Sequence, residues 1–162
     1  MREISLTQGK IALVDDTDFD WLNQWRWYAN RLGGIYYVAR NGSNPNRRKI
    51  LMHRFILNVP KGLEIDHRDG DGLNNRRTNL RICTHQENQH NQQPQKNRSS
   101  AFKGVHWCAS ARKWVSRIKV DGIEKYLGCF TNELEAARIY DMATLRFHGE
   151  FARPNFSRGG KK

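Results

Sequence analysis

The sequence predicts an α+β protein: a small N-terminal antiparallel sheet, a strand–loop–strand–helix unit, then a three-stranded antiparallel sheet packed on one helix. Three observations carry this. Short runs alternate apolar with polar residues and are bounded by Gly, Asn or Asp, which is the two-residue period of half-buried strands. Gly33-Gly34 and Asp121-Gly122 separate pairs of such runs, and both suit two-residue hairpin turns that require positive φ. A single longer stripe, Ala136, Tyr140, Ala143 and Phe147, steps by four, three and four residues, as one face of a helix does.

Composition narrows the partners. The chain has 162 residues, 38% hydrophobic and 27% charged, enough for one ordinary domain or two small ones. A net charge of +12 attracts nucleic acid or an anionic membrane. No apolar run approaches the length that spans a bilayer, and Met1–Lys10 lacks a signal-peptide core, so nucleic acid is the expected partner, membrane is not, and the cytoplasm is the expected location. Cys83, Cys108 and Cys129 are odd in number and form no Cys-x-x-Cys pair, which indicates reduced, buried thiols and no zinc site.

Taken in order, Ile4–Val14 reads as one or two short strands around Gln8-Gly9-Lys10. Asp15-Asp16-Thr17-Asp18 opens a helix whose acidic start suits its dipole, with Phe19, Leu22 and Trp25 at helical spacing. Trp27–Leu32 and Ile35–Arg40 form a hairpin about Gly33-Gly34, and a looser turn, Asn41–Arg48, leads to a strand over Lys49–Met52. Trp21, Trp25, Trp27, Tyr28, Tyr36 and Tyr37 are chiefly the core of this sheet. Arg40, Arg47, Arg48 and Lys49 gather near the hairpin end. They form either a solvated loop or a ribbon that enters a major groove.

Leu63–Asn91 carries the chemistry. Leu63 and Ile65, then Leu80 and Ile82, alternate with polar residues around a loop, Asp69-Gly70-Asp71-Gly72 to Asn74-Asn75, rich in residues that tolerate positive φ. The loop is no EF-hand, because Leu73 occupies a ligand position and no bidentate Glu follows. Thr84 with Glu87 three residues on is capping-box spacing, placing Asn88 on the second turn of a helix that faces back toward the strand end. Asp66 and His67 sit at that end with side chains on opposite sides. A carboxylate and an amide oxygen make the sparse hard-oxygen site that Mg²⁺ prefers. An imidazole beside them can take a proton from water near neutral pH, with Asn79 in the returning loop to fix its ring. His53, His85 and His90 are less specific signals, and only His53 is expected near the site.

Asp66-His67, Asn79-Leu80 and Glu87-Asn88 resemble the HNH endonuclease motif in the ββα-metal version of phage and intron homing endonucleases. Met52-His53-Arg54 with Phe55-Ile56-Leu57 resembles the segment leading into it. The resemblance implies Asp66 and Asn88 as ligands of one divalent ion, Mg²⁺ or Mn²⁺. It also implies His67 as general base and Asn79 as the residue orienting it, an H-N-N variant. Arg68, Arg76 and Arg77 are then expected to hold phosphates beside the cut, unless they are a solvated loop.

Gln92–Ser100 contains no apolar residue and one Pro, which reads as a linker. Beyond it Phe102–Trp107, Lys113–Val120 and Ile123–Cys129 are strand-like, Thr131 is a helix cap, and Gly149 ends the helix. Trp114, Ser116 and Ile118 should face the helix, leaving Val115, Arg117 and Lys119 to solvent. Lys103-Gly104-Val105, Lys113-Trp114, Tyr126-Leu127-Gly128-Cys129-Phe130, Glu135-Ala136-Ala137, Tyr140-Asp141 and Asn155-Phe156 resemble the APETALA-type, ethylene-response-factor (ERF) DNA-binding domain of plants. That resemblance implies DNA contacts from Lys103, His106, Arg117, Lys119 and Tyr126, with Arg112 in the first turn. Lys103, His106 and Tyr126 depart from the plant residues, as does Arg117, so the plant target sequence does not transfer. Trp107 is equally a DNA contact or a packing residue.

The expected organisation is an HNH domain over 1–91 with its ββα core at 63–91, a linker at 92–100, an ERF-like domain at 101–158 and a basic tail at 159–162. The expected function is a site-directed homing endonuclease acting on double-stranded DNA in a bacterial or phage-infected cell, monomer or dimer. The competing classes are a DNA-binding regulator with an inactive nuclease site and an HNH nicking nuclease without a specific target.

Overall fold

The computed structural model describes residues 1–42, 48–91 and 99–156, and the fold is α+β, built from small antiparallel sheets and few helices. The chain divides into two compact units, Met1–His85 and Gln86–Lys162.

The first unit opens with strand β1 (Arg2–Ser5) paired antiparallel to β2 (Ile11–Val14), followed by helix α1 (Asp16–Leu22). Its second sheet runs β3 (Tyr28–Leu32), β4 (Ile35–Asn41), β5 (Lys49–Leu51) in that spatial order. Gly33 and Gly34 turn the β3–β4 hairpin at φ 57° and 88°, the pair of positive values a two-residue turn demands. Helix α2 (Met52–Leu57) follows β5 directly, where the sequence suggests only a strand and a lead-in segment. Strands β6 (Glu64–His67) and β7 (Leu80–Cys83) form the third sheet, with Ile65 opposite Ile82 and His67 opposite Leu80. One core joins these elements: Val14, Leu22, Trp27, Val38 and Met52 are at most 1% exposed, and each such large side chain contributes about 1.5–3 kcal/mol by leaving water.

Simple alternation does not describe the β6–β7 hairpin. Ile82 is 49% exposed, whereas Asp66 and His67, successive residues on opposite faces, are both buried. The end of β6 is therefore covered on both sides. Polar chemistry sits where an ordinary strand end meets solvent.

Helix α3 (His85–His90) starts at the residue after Thr84, and its remainder belongs to the second unit. That unit consists of β8 (Val105–Cys108), β9 (Lys113–Val120), β10 (Ile123–Phe130) and α4 (Glu133–His148), with β9 central. Asp121 and Gly122 turn β9 into β10 at φ 51° and 79°. A register shift between Tyr126 and Gly128 makes a bulge there.

Four local expectations need correcting. The helix cap is Asn132, whose Oδ1 accepts from the Leu134 and Glu135 amides, so it displaces Thr131 from that role. Ala136, Tyr140 and Ala143 are buried as the stripe predicts, but Phe147 is 42% exposed, with Lys125 and Arg146 near its ring. Val115 is buried despite sharing the outer face with Arg117 and Lys119. Of the thiols, Cys83 alone is buried.

Candidate active site and nucleic-acid surface

The loop between β6 and β7 is built from its own side chains. Asp69 Oδ1 accepts from the Asp71 amide at 2.8 Å and Asp71 Oδ1 from the Leu73 amide at 3.0 Å, two successive Asx turns. Leu13 of β2 then clamps the loop, donating to Leu73 O at 3.0 Å and accepting from the Asn75 amide at 2.8 Å. Gly72 permits a close approach to β4: a Cβ there would lie 2.7 Å from Tyr37 Cδ1, inside contact distance.

Asp66 and His67 sit at the foot of this loop, 5% and 4% exposed. Asp66 Oδ2 accepts from Arg81 Nε at 2.7 Å and pairs with its Nη2, a fork on one carboxylate oxygen across the hairpin. Burial pushes the His67 imidazole below its ordinary pKa, and it outweighs the opposing pull of Asn75, Asp69, Asp66 and Asp71. A histidine held neutral is a proton acceptor at neutral pH.

Asn79 is 7% exposed, but its amide does not go to the imidazole. Its Nδ2 donates to Asp69 Oδ1 at 3.0 Å and Asn74 O at 2.8 Å, while its Oδ1 accepts from the Asp69 amide at 3.2 Å. Asn79 therefore holds the loop that lies over His67. The side chain near His67 is Asn75, fully buried, which favours the charged imidazole although its Oδ1 meets the geometry of no hydrogen bond. Motif spacing prefers Asn79 to Asn74 and Asn75 for that place, whereas in the fold the amide beside the ring is that of Asn75. Asp69 feels burial upward, but the Asp71 amide, Asn74, Asn79 and His67 together draw its pKa down.

Two more rings complete the surroundings of His67. His53, on α2, lies 5.1 Å from it at 89°, and Tyr37, on β4, lies 5.9 Å from each histidine. His53 is 6% exposed, and burial with the charges of His67 and Arg54 takes its pKa down to about 3. Its Nδ1 has no hydrogen-bond partner. Such a buried orphan costs on the order of 1–3 kcal/mol. Burial and Asp66 push the Tyr37 phenol up, so it too is uncharged.

Asn88 is half-buried on α3. That six-residue helix is too short to stand alone and is fastened by its C-terminal end. Lys103 Nζ donates to His90 O at 2.5 Å, Arg153 donates to Asn91 O at 3.1 Å, and the His90 and His148 rings stack at 3.6 Å.

The expected metal ligands Asp66 and Asn88 offer one carboxylate and one amide oxygen, a donor chemistry that fits a hard divalent ion retaining most of its waters. Among the described residues no group of three or more His, Cys, Asp or Glu gathers.

Of the cations expected at DNA, several have other work. Arg40 is 7% exposed, with its guanidinium 4.0 Å from the Trp25 ring centre and 4.9 Å from that of Phe55, so it is a core residue. Arg77 grips Asp18 through Nε and Nη2 at 2.7 and 2.8 Å, and its amide donates to Asp15, tying the loop to α1. Arg76 Nε donates to Asn74 Oδ1 at 3.0 Å. Lys103 is the α3 clamp, and burial with Arg153 takes its pKa down to about 8. Arg48, Arg68, Arg112, Arg117, Lys119 and Tyr126 are exposed, and His106 is half-buried. Arg117 pairs with exposed Glu124 at 2.8 Å, opposite Tyr126 on β10. Trp107 is 41% exposed and meets Trp114 edge to face at 5.1 Å, so it packs and remains accessible. Arg47 lies outside the described residues.

Comparison with known proteins finds similarity in sequence. A profile of HNH endonucleases matches residues 58–90. An uncharacterized HNH endonuclease of Acanthamoeba polyphaga mimivirus is 31% identical over 154 residues, covering 91% of this chain and 76% of the relative. Protein 3.8 of Escherichia phage T7 is 33% identical over 96 residues, covering 59% of this chain and 78% of the relative. APETALA2-like protein 2 of Oryza sativa is 39% identical over 62 residues, covering 38% of this chain and 14% of the relative. No solved structure matches.

Proposed function

Since the chain belongs to the HNH endonuclease family, a nuclease family whose substrate is DNA, we propose that it is a site-directed, homing-type endonuclease of double-stranded DNA. The observation that supports this most is His67, buried beside Asp66 at the end of β6, neutral by burial, under a loop locked by Asn79.

In this reading His67 takes a proton from the attacking water, whose oxygen bonds to phosphorus as the P–O3′ bond breaks. The departing oxygen takes a proton from solvent, leaving a 5′-phosphate and a 3′-hydroxyl, as the family resemblance implies. Asp66 and Asn88 would hold one Mg²⁺ or Mn²⁺, which would supply positive charge beside the reacting phosphate. Arg81 fixes the Asp66 carboxylate, and Asn79 orients the base through the loop. Arg68 and Arg76 stand beside the scissile phosphate. The second unit is an ERF-like DNA-binding module, supported by the partial plant match and by the outer sheet face carrying Arg117, Lys119 and Tyr126. His106, Arg112 and Arg48 extend that contact, chiefly to phosphates. One such active site cuts one strand.

The test is a cleavage map on a long duplex of varied sequence with Mg²⁺, read with end-group analysis. One dominant site with 5′-phosphate ends is the expected result. Scattered cuts would replace the homing reading with a nuclease lacking a specific target, and binding without cutting would replace it with a regulator.

A further inference from the structure

His53 and Tyr37 take no part in the chemistry proposed above, yet both lie against the base. They come from different elements, α2 and β4, and each ring meets His67 edge to face. Such pairs prefer defined tilts and centre separations of about 4.5–7 Å, so two of them at once restrict how the third ring can turn. Both partners are themselves fixed. Met52 and Ile56, at 0% and 6% exposure, anchor the helix that bears His53. The loop backbone at Gly72 presses on Tyr37 so closely that a methyl group would not fit.

We propose that His53 is a positioning residue for His67, acting with Tyr37 as an edge-to-face frame that fixes the plane of the base. The inference rests on the reading of His67 as general base. His53 touches neither the water nor the phosphate. It keeps the acceptor nitrogen of His67 in line for the proton.

The test uses the full chain with His53→Ala and His53→Phe, measuring kcat and KM for Mg²⁺-dependent nicking, thermal midpoints, and the ring-nitrogen NMR signals of His67. His53→Ala, which removes one side of the frame, should hold KM within about two-fold and lose about ten- to a hundred-fold in kcat per folded protein, as misplacing a catalytic group does. The His67 ring signals should move with it. His53→Phe, which keeps a ring against His67, should recover most of that loss. A His53→Ala protein with parental kcat and unmoved His67 signals would overturn the proposal, as would a loss of kcat that simply follows a loss of folded protein. If the parent shows no metal-dependent cutting, the nuclease reading falls instead, and unmoved His67 signals would still decide against the frame.

Discussion

The two units treat charge in opposite ways. Among the described residues, the first buries six acidic or basic side chains: Asp18, Arg40, His53, Asp66, His67 and Arg81. The second buries one, Asp141, which accepts from Asn155 and Phe156 amides and simply ties down the chain after α4. Its cations on the sheet face, Arg117 and Lys119, remain in water. In the proposed reading the contrast follows function. A group that must move a proton gains from low dielectric and fixed neighbours, and its desolvation must be offset by partners. A group that meets phosphates needs only to stay charged and accessible.

The sharpest way to break the comparison is at the buried ion pair. Asp66→Ala leaves Arg81 buried without its carboxylate, which should cost about 3–5 kcal/mol of stability as well as abolishing cleavage. Urea unfolding measures it. A loss below about 1 kcal/mol would mean that Arg81 finds water on release and that the pair is no part of the core.

A second effect is specific to the first unit and is set by pH. His53 has an ordinary pKa of 6.5 when unfolded and about 3 in the fold. The unfolded chain therefore binds the proton first, and stability must fall as pH drops from above 6.5 toward 3. The full effect is on the order of 5 kcal/mol. Asp69, whose carboxyl the fold holds below its ordinary value, loses its contribution in the same direction at the acid end. Unfolding midpoints between pH 7 and 4 should slope less in His53→Phe than in the parent, and parallel slopes would contradict the assignment.

The smallest effect belongs to the second unit. Arg117→Ala removes an exposed pair with Glu124, so stability should change by less than about 1 kcal/mol. DNA binding should weaken, and its dependence on log salt should fall by about 0.9 for the lost phosphate contact. A titration of affinity against salt checks this. An unaltered slope would place Arg117 away from phosphate.

Much of the fold was legible because turn chemistry is local. Gly33-Gly34 and Asp121-Gly122 mark their hairpins, and the spacing of Asp66, His67, Asn79 and Asn88 marks the candidate site. What was not legible depends on distant partners. Arg40 and Arg77 look like surface cations until Trp25, Phe55 and Asp18 surround them. Three asparagines of equal chemistry fall within six residues, and only the folded loop distributes them between the ring and the backbone. Helix α2 has six residues, too few for a period, and takes its helicity from Met52 and Ile56 entering the core.

The central claim is that His67 is the base of a metal-dependent nuclease. Supercoiled plasmid incubated with Mg²⁺ tests it directly, comparing the parent, His67→Ala and an EDTA control. The account predicts nicking by the parent, none with EDTA, and a rate about 10²–10⁴-fold lower in His67→Ala with DNA affinity unchanged. A His67→Ala protein that nicks at the parental rate would contradict it.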